Sequence, residues 1–318
     1  VITILEAARV RRAGTGCDEE LPVSPTFHLF LPQMRMSYDA IVERALAAEA
    51  AGFEGIAFMD HLVPPLAPEH DMWEAMTIAG WVLAKTTRLK VGHLVLCDLM
   101  RHPAVLARQA VSLDHASGGR FELGIGWGSV PEELETFGVG TTEPRERVAR
   151  LGESLEIMRR LWTGEVVDFE GEYFTLCSAQ QRPVPTGRIP ITVGGVGKRT
   201  RALVREHADW WNVPIYALNR VAELRDSVGD VPVSIQQMAA LLRNEQERAD
   251  VTALIDRRFG LNAMAKDVVI GTVPELVDHY SGLAASGIDR FCVWFTDFAP
   301  VDTLERFAEV IDGVQRKR

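Results

Sequence analysis

Cysteine is scarce in this chain of 318 residues: Cys17, Cys97, Cys177 and Cys292 lie far apart and none falls in a Cys-x-x-Cys pair. That spacing excludes a disulfide framework and a structural zinc site. No apolar run approaches the roughly 20 residues that span a bilayer; the stretch 78–84 is short and stops at Lys85. Nor is there a long run of one charge sign. The 44 acidic and 34 basic residues are interspersed, for a net charge of -10, which leaves no basic footprint for nucleic acid or an anionic membrane. Small-molecule chemistry is the class that remains. Arg9, Arg11 and Arg12 follow the apolar first residues instead of preceding them. This reverses the order of a secretory signal and gives the expectation of a cytoplasmic protein.

Several catalytic signatures are also missing. There is no G-x-G-x-x-G after the first strand pattern, against a dinucleotide fold, and no G-x-x-x-x-G-K-[ST], against nucleotide triphosphate hydrolysis. The eight histidines form neither H-x-H nor H-E-x-x-H, so no metal site is expected, and no G-x-S-x-G elbow offers a serine nucleophile. Internal repeats and low-complexity tracts are absent as well.

What is present is an alternation of short β-branched runs with amphipathic helical stretches. Strands are expected at 26–31, 55–59, 89–96, 120–125, 189–193, 210–213, 231–236 and 290–295. In the helical stretch 38–51, Ile41, Ala45, Leu46 and Ala48 share one face, and Gly52 ends it. Length alone suggests about two domains. Eight strands interleaved with helices give instead the α/β count of a (β/α)8 TIM barrel, with a doubly wound open sheet as the structural rival. Residues 1–25 read as a loosely attached N-terminal extension and 26–318 as the barrel domain. The pattern 166–176, interrupted by Glu170-Gly171, reads as a hairpin inserted before strand five, over the barrel mouth.

Candidate chemistry gathers where strands end. Asp60 and His61 leave the second strand at the mouth, where an acid and an imidazole can act on a ligand; Asp60 as a turn cap beside a merely exposed His61 is the plainer alternative. Arg101 and His102 precede Pro103 and fit a helix start. Gly124, Gly126 and Gly128 let backbone approach a flat ligand, and Trp127 either stacks on a ring or fills the mouth. Gly194, Gly195, Val196, Gly197 and Lys198 open a helix, the arrangement of a phosphate site or of a tight structural turn.

Taken in order, these pieces resemble the luciferase-like monooxygenase family. The stretches that carry the resemblance are 48–53, Asp60-His61, 101–104, 113–121, Gly124-Ile125-Gly126, Gly194-Gly195 and 208–212. Within it, Asp60-His61 and the segment 126–134 resemble the branch that uses the deazaflavin coenzyme F420. The resemblance implies a bacterial-luciferase-like barrel and a deazaflavin or flavin (FMN) ring in the mouth. It implies a homodimer, and a separate reductase supplying reduced cofactor. It also implies a non-prolyl cis peptide at Leu94–Val95, behind the ring.

On that basis the chain is expected to be an F420-dependent oxidoreductase that transfers a hydride to or from a small organic substrate. His61 would orient or protonate the substrate and Asp60 would lie near the ring's polar edge. His93, Leu94, Val95, Gly126, Trp127 and Gly128 would line the ring, and 194–198 would hold the phosphate. Pro65 and Trp127 stand where the sugar-phosphate dehydrogenases of this branch carry Trp and Glu, which argues against glucose 6-phosphate. An FMN-dependent two-component monooxygenase and a non-catalytic flavin-binding barrel are the alternatives.

Overall fold

The computed structural model describes residues 24–65, 67–260 and 266–317; the expected extension, apart from Ser24 and Pro25, lies outside them. The strands are β1 (Thr26–Phe30), β2 (Gly55–Phe58), β3 (Lys90–His93), β4 (Leu96–Cys97), β5 (Leu123–Gly126), β6 (Val166–Glu170), β7 (Thr175–Gln180), β8 (Ile191–Gly194), β9 (Trp210–Val213), β10 (Val233–Leu241), β11 (Val269–Gly271) and β12 (Arg290–Phe295). The helices are α1 (Tyr38–Ala50), α2 (Ala75–Lys85), α3 (Pro103–Ser117), α4 (Pro131–Phe137), α5 (Pro144–Leu161), α6 (Lys198–His207), α7 (Val221–Leu224), α8 (Arg248–Phe259), α9 (Val273–Ala285) and α10 (Val301–Arg316).

Parallel pairing runs β3-β2-β1-β12-β10-β9-β8-β5-β4. β3 and β4 are one stave interrupted at Leu94–Val95, whose peptide bond is cis. The lower half of that stave also meets the start of the fifth: Val91 N–H donates to Arg120 at 2.9 Å and Val91 accepts from Glu122 at 3.0 Å. The ring therefore closes, and the eight expected strands are its eight staves. β11 was not anticipated; it pairs with the upper part of β10, and that strand accordingly runs past the expected end at 236.

Register decides which side chains face inward. Ile56 pairs with Val91 and Phe58 with His93, on the face packed under the helices, whereas Ala57 and Gly92 point into the barrel. The interior has two tiers. The lower is polar: Arg290 binds Glu122 through both terminal nitrogens at 2.8 and 3.2 Å and lies 3.8 Å from the Trp210 ring, and Lys90 bridges to Glu54. Asn212 and Ser234 are hydrogen-bonded above them, beside a cavity of about 20 Å³ that fits little more than one water. The upper tier is apolar: Phe30, Ala57, Met59 and Cys292, with Met72, Leu94 and Trp294 packed against them. This tier floors the mouth.

Helix ends follow local chemistry. Ser37 caps α1 and Gly52 leaves it at φ +89°; Pro103 opens α3 and Gly118 closes it in the left-handed region; Thr272 and Glu275 form a capping box on α9. The β6-β7 hairpin sits before the fifth stave, as expected, but its contacts are with α3 and α5. Phe174 meets His102 edge-on, Glu153 accepts the amides of Glu172, Tyr173 and Phe174, and Trp162 just before the hairpin donates to Ala107. It lies along the outside of the barrel instead of across the mouth, because its apolar side chains have the α3-α5 groove to fill.

Candidate active site

β2 delivers Asp60 and His61 to the mouth side by side, yet their surroundings differ. Asp60 is buried. Its oxygens lie 2.6 and 2.9 Å from the Arg101 guanidinium, and Oδ2 also accepts the Cys97 amide at 2.8 Å. Arg101 continues to Glu74 at 2.6 Å. Burial alone would raise the Glu74 carboxyl, but hydrogen bonds from Thr77 and Arg101 outweigh it and hold the group at about 2. Asp60 thus ties the exits of β2 and β4 to the start of α3. Neither of its oxygens is left unengaged.

The His61 Nδ1 lies 2.9 Å from Glu133 Oε2. Glu133, in the first turn of α4, is itself buried, and its other oxygen accepts the amides of Leu62 at 2.6 Å and Val63 at 3.2 Å. Burial works to raise the Glu133 carboxyl; the His61 hydrogen bond and the two amides prevail, and the group is held below the usual carboxylate range. An ionised carboxylate only accepts, so Nδ1 donates and the lone pair of the neutral ring sits on Nε2. That nitrogen has no partner among the described residues. Glu133 was not singled out in the sequence; the pair Glu132-Glu133 was visible, but not which of the two turns toward β2.

The other expected residues divide. Leu94 and Val95 are half-buried at the mouth, and the bond between them is cis. Gly124 and Gly126 serve this segment more directly than any ligand: a Cβ at Gly124 would lie 1.7 Å from the His93 carbonyl oxygen, and one at Gly126 2.8 Å from Val95 Cγ2. Gly194 faces the same valine at 3.4 Å. His93 is not brought to the mouth. Its ring is 3% exposed, with Nε2 3.1 Å from the Ala75 carbonyl and its edge toward Phe121, and burial pushes it down to about 4. Trp127 is half-buried with the Arg147 guanidinium 4.7 Å from its ring centre; Gly128, at φ +86°, would place a Cβ 3.0 Å from Cys97 Sγ.

At the exit of β8, Gly195 has φ +125°, its N–H donates to Asn212 and its carbonyl accepts from Trp211 Nε1 at 2.8 Å. Gly197 begins α6 with no side-chain cap, and Lys198 is exposed without an ion-pair partner among the described residues. The first amides of α6, its positive end and Lys198 therefore lie together at the exit of β8, surroundings that favour an anion. Among the described residues no cluster of His, Cys, Asp and Glu could hold a metal, and no helix is long and apolar enough to cross a membrane.

Comparison with known proteins agrees with the barrel fold. The family model of luciferase-like monooxygenases matches residues 23–259. An F420-dependent glucose-6-phosphate dehydrogenase of Nakamurella multipartita is 36% identical over 253 residues, 72% of each chain. That of Mycolicibacterium fortuitum is 38% identical over 162 residues, 49% of this chain and 47% of that protein; the match spans about half the length of several such relatives. Among solved structures, an F420-dependent secondary alcohol dehydrogenase in complex with an F420-acetone adduct superposes with a TM-score of 0.77 at 20% identity, covering 92% of this chain and 99% of that one. The coenzyme F420-dependent tetrahydromethanopterin reductase of Methanopyrus kandleri gives 0.72 at 18%, covering 90% and 98%. At such identities these two speak for the barrel alone, while the family match spans most of the sequence. The chain belongs to the luciferase-like monooxygenase family.

Proposed function

We propose that this barrel is an F420-dependent oxidoreductase that transfers a hydride between the deazaflavin and a small organic substrate. The observation that carries the reading is His61, fixed through Nδ1 by a buried Glu133 with Nε2 turned free at the mouth. The relatives' dependence on F420 supports the choice of cofactor.

The residues present fit such a group. Half-buried Leu94 and Val95 and the tier of Phe30, Met59 and Trp294 offer an apolar seat for a flat ring. Gly195, Gly197 and Lys198 offer the phosphate seat, since a side chain at Gly195 would meet Thr200 at 3.3 Å in a backbone conformation that L-residues avoid. When bound, the deazaflavin supplies or accepts the hydride. The protein's own part is to hold the substrate at His61, take up or return the accompanying proton at Nε2, and keep water from the apolar floor. Asp60, locked to Arg101, keeps the β2 and β4 exits in register.

Fluorescence titration with F420 and with FMN tests the reading. Saturable F420 binding that FMN does not match is expected; tight FMN binding without F420 binding would sink it. A homodimeric state, open to light scattering, and a cytoplasmic setting with a cofactor reductase complete the proposal.

A further inference from the structure

Among the described residues two arginines are buried with less than a tenth of their surface exposed. Arg290 has its counter-charge in Glu122. Arg147, 2% exposed on the first turns of α5, has none. No described carboxylate lies within ion-pair distance of it, and the acids around the mouth are already taken: Asp60 by Arg101, Asp98 by Arg150, Glu133 by His61. Burial lowers the proton affinity of Arg147 on balance; Glu143, at the N-cap of the same helix, offsets this only in part through space and accepts the Arg145 amide.

Of the five N–H donors a guanidinium carries, one is engaged, Nη1 with the Gly128 carbonyl at 3.3 Å; Nε is buried with no partner. Burying a cation without a counter-charge is among the costlier things a fold does. Its position is informative. The Cβ direction of Gly128 meets Cys97 Sγ at 3.0 Å, Arg147 Nη1 at 3.6 Å and Leu134 Cδ1 at 3.8 Å. The guanidinium therefore lies against the Trp127 ring, beside Cys97, whose amide binds Asp60, and Leu134, next in the chain to the Glu133 that holds His61.

We propose that Arg147 is a specificity-determining residue: it receives a carboxylate or phosphate group of the molecule that reacts at His61, so the substrate is an anion. This rests on the oxidoreductase reading for the reaction, though not for the anion site. The planar fork suits either group bidentately.

Benzoate and inorganic phosphate are titrated calorimetrically into the protein with and without F420, with benzamide as neutral control. Saturable binding of at least one anion and none of benzamide is expected, weakened at least tenfold in Arg147→Met and less in Arg147→Lys, with F420 affinity unchanged in both. Equal anion binding in Arg147→Met, or no anion binding to the wild type, overturns the proposal. Loss of F420 affinity in place of anion affinity also overturns it and assigns the guanidinium to the cofactor's own acid groups. Should Arg147→Met not fold, the wild-type Arg147 Nε–H resonance, identified by its absence in Arg147→Lys, decides: it shifts on adding the anion or the proposal falls. Anion binding retained in a protein that ignores F420 keeps the site and removes only the oxidoreductase reading.

Discussion

At the residue scale, the site turns on which groups still have something left to offer. Asp60 has both oxygens engaged, and the imidazole beside it has one nitrogen free. His61→Ala is expected to lower turnover by about 10²-fold or more while F420 affinity stays nearly unchanged. Glu133→Gln keeps the shape but not the charge that orients the ring; turnover should fall by about tenfold, with KM little altered and the fold intact. A panel of enones, quinones and imines, screened first on the wild type with reduced F420, provides the assay. Wild-type turnover in His61→Ala on every accepted substrate would end its role as proton carrier. His61 could be found in the sequence because it follows a strand end. Its partner could not, since a contact between positions 72 apart leaves no local pattern.

At the element scale, the eight staves were legible because each is a short β-branched run bounded by turn residues, and periodicity reports burial directly. What stayed hidden depends on neighbours: the break of stave three into β3 and β4, the added β11, and the groove that draws the hairpin outward. The glycines of β5 show the same limit. They resembled a ligand-facing run, yet Gly124 is bound to the His93 carbonyl by space alone. Gly124→Ala should therefore cost about 3 kcal/mol or more, roughly 5 °C or more in melting temperature. Gly195→Asp is the contrasting case, at the turn proposed to seat the phosphate. Thr200 Cγ2, 3.3 Å from its Cβ, can give way, and the strain of a side chain at φ +125° costs on the order of 1–3 kcal/mol, so the protein should fold with reduced stability; the added carboxylate should abolish F420 binding by repelling the phosphate. Full F420 affinity in a folded Gly195→Asp would move the anion seat elsewhere.

At the scale of the whole molecule, a barrel with a polar lower tier and with His28 and His93 buried in the fold must depend on pH in a definite direction. His28 is buried and held well below its ordinary value, first by burial and then by Arg290 and Lys90; His93 is pushed by burial to about 4. Both are neutral when folded and take up a proton on unfolding below about 6.5. The unfolded state then binds more protons, so stability falls as pH drops from 6.5 through the folded-state values, by about 1.4 kcal/mol per pH unit for each histidine. Glu74 and Glu133, held low, add to the loss at lower pH. Asp98 opposes it: burial, against Ser154 and Arg150, raises its carboxyl to about 6, so between 6 and 3.8 the folded state keeps a proton that the unfolded chain has released. Urea unfolding at pH 7, 6, 5 and 4 measures the balance. His93→Gln, which can keep the hydrogen bond to Ala75, should flatten the decline between pH 6.5 and 4 by about one proton, preserving about 3 kcal/mol at pH 4 relative to its own stability at pH 7. Asp98→Asn should steepen it. If both variants kept the wild-type slope, the buried groups would not control the acid limb, and the exposed carboxylates of the helical layer would have to supply it.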